Sequence, residues 1–325
     1  MKPLQILYLS LKDVASLDIP MGQIVKWVED ALRLKGLGKC EMPPKPGIHT
    51  VPDAFIHAMP AYLPDLKAAG IKWVSGYPEN CKRGLPYISG LLILNDTETG
   101  IPIAVMDCTW ITAMRTGAVT AVATKYLARP DSSVIGIIGC GVQGRSNLEA
   151  LTTVLKKITA AKAYDIRPEV QQKYVSEMKK KLGLNVIGVA SPREAVVGSD
   201  IIVTAGPLLK EPNPVIEDSW LKAGALAAPV DLDSYWKKEV LLGADKFCVD
   251  DIPQIMYFKS EGYLKTLPQI YADLGDIVAG KKPGRQNERE RIMAMNLGLA
   301  LEDMGVAIYI YRQAVEKGVG RKLPL

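Results

Sequence analysis

The chain has little of what builds metal centres and disulfide frameworks. Its 325 residues include two histidines, His49 and His57, too few for most histidine-based metal sites. The five cysteines, Cys40, Cys81, Cys108, Cys140 and Cys248, are odd in number, scattered and without a C-x-x-C pair. That pattern argues against a disulfide framework or a zinc site, so no metal is expected and a reducing compartment is. No apolar stretch is long enough to span a bilayer. The N-terminal apolar run is broken by Gln5 and Ser10 and stops at Lys12-Asp13, so it reads as a strand rather than a signal peptide. The expectation is a cytoplasmic protein with no membrane partner. Charge of one sign is also scarce. The formal +5 is spread along the chain, and its densest run, Lys179-Lys180-Lys181, closes a predicted helix where cations complement the dipole. No nucleic-acid partner is expected.

What is present is a soluble globular composition, 48% hydrophobic and 23% charged, in a chain long enough for two domains. Ile6 to Leu9 reads as a first strand and Pro20 to Lys35 as a helix with Ile24, Val25, Val28, Ala31 and Leu32 on one face. Pro43 to Gly47 is an ordered loop. Short strands follow at Phe55 to Met59 and Gly70 to Ser75, then a hairpin in which Tyr87 to Leu94 returns through Asn95 to Gly100 into Ile101 to Met106. Thr109 to Leu127 is an alanine-rich helix, and Ala128-Arg129-Pro130-Asp131 marks a boundary. From Ser133 strand and helix alternate, which predicts an α/β fold with a Rossmann-type doubly wound parallel sheet beside a second α+β domain. The strands are placed at 134–138, 161–165, 185–189, 201–205, 225–230 and 246–249. The helices between them are placed at 143–157, 168–182 and 192–197. A last helical pattern, Glu288 to Lys317, is interrupted at Gly298 and Gly305.

The most informative stretch is Val134 to Arg145. An apolar strand enters Gly139, Gly141 and Gly144, a G-x-G-x-x-G set that opens a helix and is the fingerprint of dinucleotide binding. The first glycine permits the tight turn, the second lets backbone approach a pyrophosphate, and the third lets helix pack on strand. Free N–H groups at the helix N-terminus then face the phosphates. Asp165 closes the next predicted strand 21 positions after Gly144, the spacing of a ribose-binding carboxylate. It favours NAD, because it would repel a 2′-phosphate. Arg167, two residues on, could swing toward a phosphate and keeps NADP open. Hydride transfer also needs a cation for an acidic substrate group and a titratable acid or base. Lys45, Lys72 and Arg115 are the candidate cations. Asp231 follows a predicted strand, at the end where open α/β sheets bind ligands. Each has an ordinary alternative: surface lysines, a structural ion pair for Arg115, a helix cap for Asp231.

Several segments in order together resemble the ornithine cyclodeaminase/μ-crystallin family over nearly the whole length. They are Met59-Pro60-Ala61, Lys72 to Pro78, Gly84-Leu85-Pro86, Asp96 to Pro102, Thr112 to Ala118, the glycine loop, and Asn296 to Asp303. The resemblance implies a substrate-binding and dimerisation domain at 1–128, with tail 305–325 packing back on it. It also implies a nucleotide domain at 129–304, a homodimer, and a small amino or imino acid as substrate. By family pattern Arg115 and Lys45 bind the substrate carboxylate, with Met59 and His57 lining the pocket. Lys72 lies beside the reacting α-carbon, and Asp231 handles protons. Cofactor contacts fall at Thr116, Gly139, Gly141, Val142, Gln143, Gly144, Asp165, Arg167, Thr204 and Ala205. Lys45 stands where relatives usually have arginine, which weakens a bidentate grip. His57 stands where ornithine-type members carry a glutamate for the distal amine, and a neutral imidazole supplies no such counter-charge. Pro229 replaces the glycine usual two residues before the aspartate, so Asp231 and Asp233 both remain candidates. The expected activity is an NAD(P)-dependent oxidoreductase at the α-carbon, either an amino-acid dehydrogenase or a cyclic imine reductase. The alternatives are a cyclodeaminase with catalytic NAD and a non-catalytic μ-crystallin-like binding protein.

Overall fold

Period-two alternation in the first hundred residues and strand–helix alternation after residue 133 build two sheets. The computed structural model describes residues 3–325. In chain order the elements are β1 (Gln5–Leu9), α1 (Leu11–Ser16), α2 (Met21–Gly36), β2 (Gly47–Ile48), β3 (Phe55–Leu63), β4 (Ala68–Gly76), β5 (Ile88–Asn95), β6 (Pro102–Asp107) and α3 (Thr109–Leu127). Then come β7 (Val134–Ile138), α4 (Val142–Val154), β8 (Ala160–Tyr164), α5 (Pro168–Leu182), β9 (Asn185–Gly188), α6 (Pro192–Val196), β10 (Ile201–Thr204) and β11 (Leu226–Pro229). The chain closes with α7 (Lys238–Leu242), β12 (Lys246–Val249), α8 (Ile252–Ser260), β13 (Ile270–Asp273), α9 (Leu274–Val278), β14 (Ile292–Met295), α10 (Ala300–Lys317) and β15 (Arg321–Pro324). No helix among the described residues is long and apolar enough to cross a membrane.

Two compact units result. Unit 1 comprises Met1–Arg115 and Leu299–Leu325, and unit 2 comprises Thr116–Gly298. This division runs through helix α3, whereas the sequence expectation followed the Pro130 turn at its end; a helix shared by two units carries no compositional break.

In unit 1 the sheet order is β15-β1-β6-β5-β4-β3-β2. Apart from the parallel β1–β6 pair it is antiparallel. Residues alternate across it. Met59, Ala61, Leu63, Lys72, Val74, Leu92, Leu94, Ala104 and Met106 lie on the face that is buried, which α10 covers at β3, β4 and β5. On the opposite face Trp73 and Leu91 are directly paired and remain 47% and 46% exposed. Helix α2 packs on α10 through the stacked rings of Trp27 and Tyr309, 4.5 Å apart.

Unit 2 is an eight-stranded, wholly parallel sheet in the order β13-β12-β14-β11-β10-β7-β8-β9. Strand order reverses between β7 and β10, the topological switch point where doubly wound sheets take ligands. Every residue of β10, β11, β12 and β14 is buried, as in a parallel sheet covered on both faces.

One expectation fails. Residues 288–299 are not helical: Ile292–Met295 is a strand inserted between β11 and β12. A four-residue apolar run is compatible with either element, and only its neighbours decide. Gly298, at φ +75°, ends the loop that follows. Gly305, read as an interruption, lies inside the unbroken α10. A Cβ there would stand 3.2 Å from the Ala31 Cβ of α2, so the glycine marks a close helix crossing.

Candidate functional site

In unit 2 the glycine loop joins β7 to α4. Gly139 has φ +99°, a conformation open mainly to glycine, and a Cβ on it would strike the Ala205 carbonyl. A Cβ on Gly144 would strike the Gly139 carbonyl, whereas one on Gly141 meets open space. The loop is therefore tight where it packs and open where a phosphate would approach. It is also braced from behind. The Arg145 guanidinium donates to the carbonyls of Cys140 and Gly141 and pairs with Glu177 at 2.8 Å. The buried Tyr174 hydroxyl donates to the Gly144 carbonyl at 3.1 Å. Tying up carbonyls on one side leaves the N–H groups to point the other way. Nothing in the sequence pattern singled out Arg145 or Tyr174.

Asp165 follows the carboxyl end of β8. Its Oδ2 accepts the Cys140 N–H of the loop at 2.9 Å, and its Oδ1 accepts the backbone N–H and Nε of Arg167 at 3.0 and 3.2 Å. Arg167 is thus folded onto the acid. Val142 is largely exposed at the start of α4, with Gln143 beside it, and Thr204 and Ala205 stand at the end of β10, next to β7. Thr116, in the first turn of α3 that belongs to unit 2, is one residue from Gly117, whose Cβ would meet the Ser146 carbonyl of α4.

Asp231 lies two residues beyond β11 and is 1% exposed. It accepts from Thr204 Oγ1 at 2.6 Å and from the Gly206 N–H at 2.9 Å. Trp236 Nε1 donates to the same threonine oxygen at 3.0 Å, so the hydroxyl proton is directed at the carboxylate. Burial is the dominant influence and pushes the Asp231 carboxyl up to about 7, against those hydrogen bonds. Asp233 is also raised by burial. Leu232 between them takes a left-handed φ of +57°. Asn296, just beyond β14, is 2% exposed, and its amide nitrogen and oxygen have no hydrogen-bond partner among the described residues.

Unit 1 gathers the other candidates on the buried face of its sheet. Met59 is directly across from Lys72, and His57 across from Val74. The Lys45 loop is fastened beside them: Pro46 O accepts the Ala58 N–H at 3.0 Å, and Gly47 pairs with His57. Lys72 is fully buried, with its Nζ 2.6 Å from Asp303 Oδ2 and 3.4 Å from Thr112 Oγ1. Arg115 does not stand open toward a ligand as a bare fork. Its Nε meets Asp303 Oδ1 at 3.1 Å and its Nη1 meets Glu302 Oε2 at 3.2 Å. Arg115 is therefore ion-paired within the protein. In the sequence Glu302 and Asp303 stand out only as part of a family segment. The signal that could have found them is two adjacent acids in the first turn of a helix whose next two turns, Met304 to Tyr311, carry no charge.

His57 is 7% exposed and stacks on Phe55. Burial first, then the charges of Lys45, His49 and Lys72, push its imidazole down to about 3. It is neutral at physiological pH.

A glycine loop that opens a helix at the switch point of a parallel sheet, with an acid after the next strand, marks a dinucleotide-dependent enzyme of the Rossmann type. The model of the ornithine cyclodeaminase/mu-crystallin family matches residues 7–318, and the chain belongs to that family. It is 38% identical to an alanine dehydrogenase of Archaeoglobus fulgidus, with 98% of each chain covered. A solved Thermococcus litoralis Δ1-pyrroline-2-carboxylate reductase in complex with NADH and L-proline superposes with a TM-score of 0.88 at 39% identity, covering 97% of this chain and 99% of that one. An archaeal alanine dehydrogenase dimer with bound NAD gives 0.88 at 36% identity, covering 99% and 100%. The protein is an NAD-dependent oxidoreductase of amino or imino acids.

The His57 shift has a measurable consequence. The unfolded chain protonates this imidazole below about 6.5, the native protein only below about 3. Its contribution to stability is complete above the first value and is lost as pH falls toward the second. In urea titrations His57→Gln should lose less stability than wild type between about pH 6.5 and 4.5, by about 2 kcal/mol. Equal losses would mean that His57 is not held neutral.

Proposed function

We propose that this oxidoreductase acts on α-amino or cyclic α-imino acids whose side chain carries no distal amine, as a dehydrogenase or an imine reductase and not as a cyclodeaminase. The observation that carries this reading is His57. A distal ammonium brought to that wall would meet a neutral imidazole, with the charges of Lys45 and Lys72 acting on the same place. Glu302 and Asp303 are already committed to Arg115 and Lys72. The names of two relatives agree: alanine, and the proline held by the Thermococcus enzyme, have no distal amine.

Lys45 and Arg115 are assigned to the substrate carboxylate, and Lys72 to the group beside the α-carbon. Asp231 is preferred to Asp233 as the acid–base residue, because it is the more deeply buried and is aimed by Thr204 and Gly206. A carboxyl near neutrality can both take and return a proton on a substrate nitrogen or an attacking water. Asn296 offers an orphaned amide at the carboxyl end of the sheet, suited to a polar group of the cofactor such as the nicotinamide carboxamide. Once bound, NAD supplies the hydride exchange with the α-carbon. Arg167 is held against Asp165, and its release would be needed to meet a 2′-phosphate, which supports NAD over NADP. The free thiols of Cys40, Cys81, Cys108, Cys140 and Cys248 support a reducing, cytoplasmic setting.

We further infer a homodimer through the outer face of the unit 1 sheet. Ile71, Trp73, Leu91, Ile93, Ile103 and Val105 alternate with the buried set and form a continuous apolar surface, of the kind that marks an interaction face. The archaeal alanine dehydrogenase is described as a dimer.

The deciding experiment is a panel read by NADH absorbance and ammonia release together. Turnover of 2-keto acids with ammonia, or of cyclic imines, with stoichiometric NADH oxidation supports the proposal. Ammonia and a cyclic imino acid formed from ornithine or lysine with no net NADH change would overturn it. Second, kcat/KM should show a limb near pH 7, and Asp231→Asn should lower kcat by about 10²–10⁴-fold and abolish that limb. An intact limb would reassign the role. Third, light scattering should give twice 35.4 kDa for wild type and a single chain for Trp73→Glu/Leu91→Lys. A double variant that stays dimeric would move the interface elsewhere.

A further inference from the structure

In unit 1 four charged side chains come together away from water. Lys72, Glu302 and Asp303 are 0% exposed and Arg115 is 5% exposed. Asp303 serves both cations: Oδ1 lies 3.1 Å from Arg115 Nε, and Oδ2 lies 2.6 Å from Lys72 Nζ. The Oδ2 contact is a close ion pair whose geometry depends on where α10 holds the carboxylate. Glu302 takes another share of Arg115 through Oε2, which also accepts the Leu299 N–H at 3.1 Å. Its Oε1 has no hydrogen-bond partner among the described residues.

Resting on the reading of Lys72 as the group beside the α-carbon, we propose that Asp303 is a positioning residue that fixes the Lys72 ammonium in place and keeps it charged. Burial favours loss of the lysine proton, and the like charge of Arg115 acts in the same direction; Asp303 opposes both. The other groups facing the amine cannot replace it. Thr112 from α3 is uncharged, and the Cys108 thiol before α3 is pushed up to about 11 by burial. His57 from β3 is neutral. Glu302 from α10 is engaged with Arg115 and the helix N-terminus. Removing the Asp303 charge therefore leaves the ammonium without an adjacent counter-ion, while removing that of Glu302 leaves the Lys72–Asp303 contact in place.

The test follows the Lys72 side chain directly in the full chain, through its 13Cε resonance assigned by loss in Lys72→Met. In Asp303→Asn the Lys72 titration midpoint should fall by about 1–3 pH units, and kcat should fall about 100-fold with NADH affinity by fluorescence unchanged. Glu302→Gln should leave the midpoint much closer to wild type. An unchanged midpoint in Asp303→Asn, or an equal fall in Glu302→Gln, would overturn the proposal. If Asp303→Asn does not fold, Asp303→Glu keeps the charge and displaces it by a methylene. It should keep the midpoint and lose kcat, and full activity there would count against positioning. Because the titration needs no turnover, absence of activity on the substrate panel would defeat the functional reading without deciding this pair.

Discussion

Bringing Lys72, Arg115, Glu302 and Asp303 out of water is the constraint on which unit 1 depends. Isolated buried charges are costly, and they persist only when paired and held by the surrounding backbone. Here Lys72 meets Asp303, and Arg115 meets both Asp303 and Glu302. The cations come from β4 and α3, and the anions from the first turn of α10, far later in the chain. The requirement for neutrality thus binds the C-terminal helix to the N-terminal sheet. The crossing at Gly305 and the Trp27–Tyr309 stack supply the packing that makes the approach close enough. The cluster also changes how Arg115 is understood. It is a member of a preassembled charge array with Glu302, Asp303 and Lys72.

Unit 2 solves a different problem, which is to present backbone N–H groups to an anion without letting the loop relax. Glycines allow the turn, but they do not hold it. Arg145, Tyr174 and Asp165 do, each hydrogen-bonded to a backbone group of the loop, while the space at Gly141 stays open. Preorganisation of this sort is what lets a loop bind without a large ordering cost. The same economy of partners appears at Asp231, where Trp236 fixes Thr204 and Thr204 fixes the acid.

Members of one family can run dehydrogenation, imine reduction or cyclodeamination from one pocket, so the outcome is set by groups away from the reacting carbon. On the proposed reading His57 is such a group. Its neutrality is a product of its surroundings, since burial and neighbouring positive charge both oppose protonation. On the proposed reading it selects against a substrate carrying a second ammonium by withholding a counter-charge.

The sequence by itself determined the local statements. Glycine spacing, strand–helix alternation and the acid at residue 165 follow from the chemistry of a few adjacent residues, and the sheet with its phosphate-facing turn was legible from them. The candidate cations and Asp231 could be named from the sequence only as residue types. What only the tertiary structure decided is everything that depends on distance across the chain. Ile292–Met295 is a strand because β11 and β12 leave a gap that four apolar residues fill. Glu302 and Asp303 are counter-ions because α10 returns to β4. The titration of His57 and Asp231 is set by burial, which no spacing encodes. Propensity and turn chemistry act over a few residues, whereas desolvation and charge pairing act between groups that only folding brings within a few ångströms.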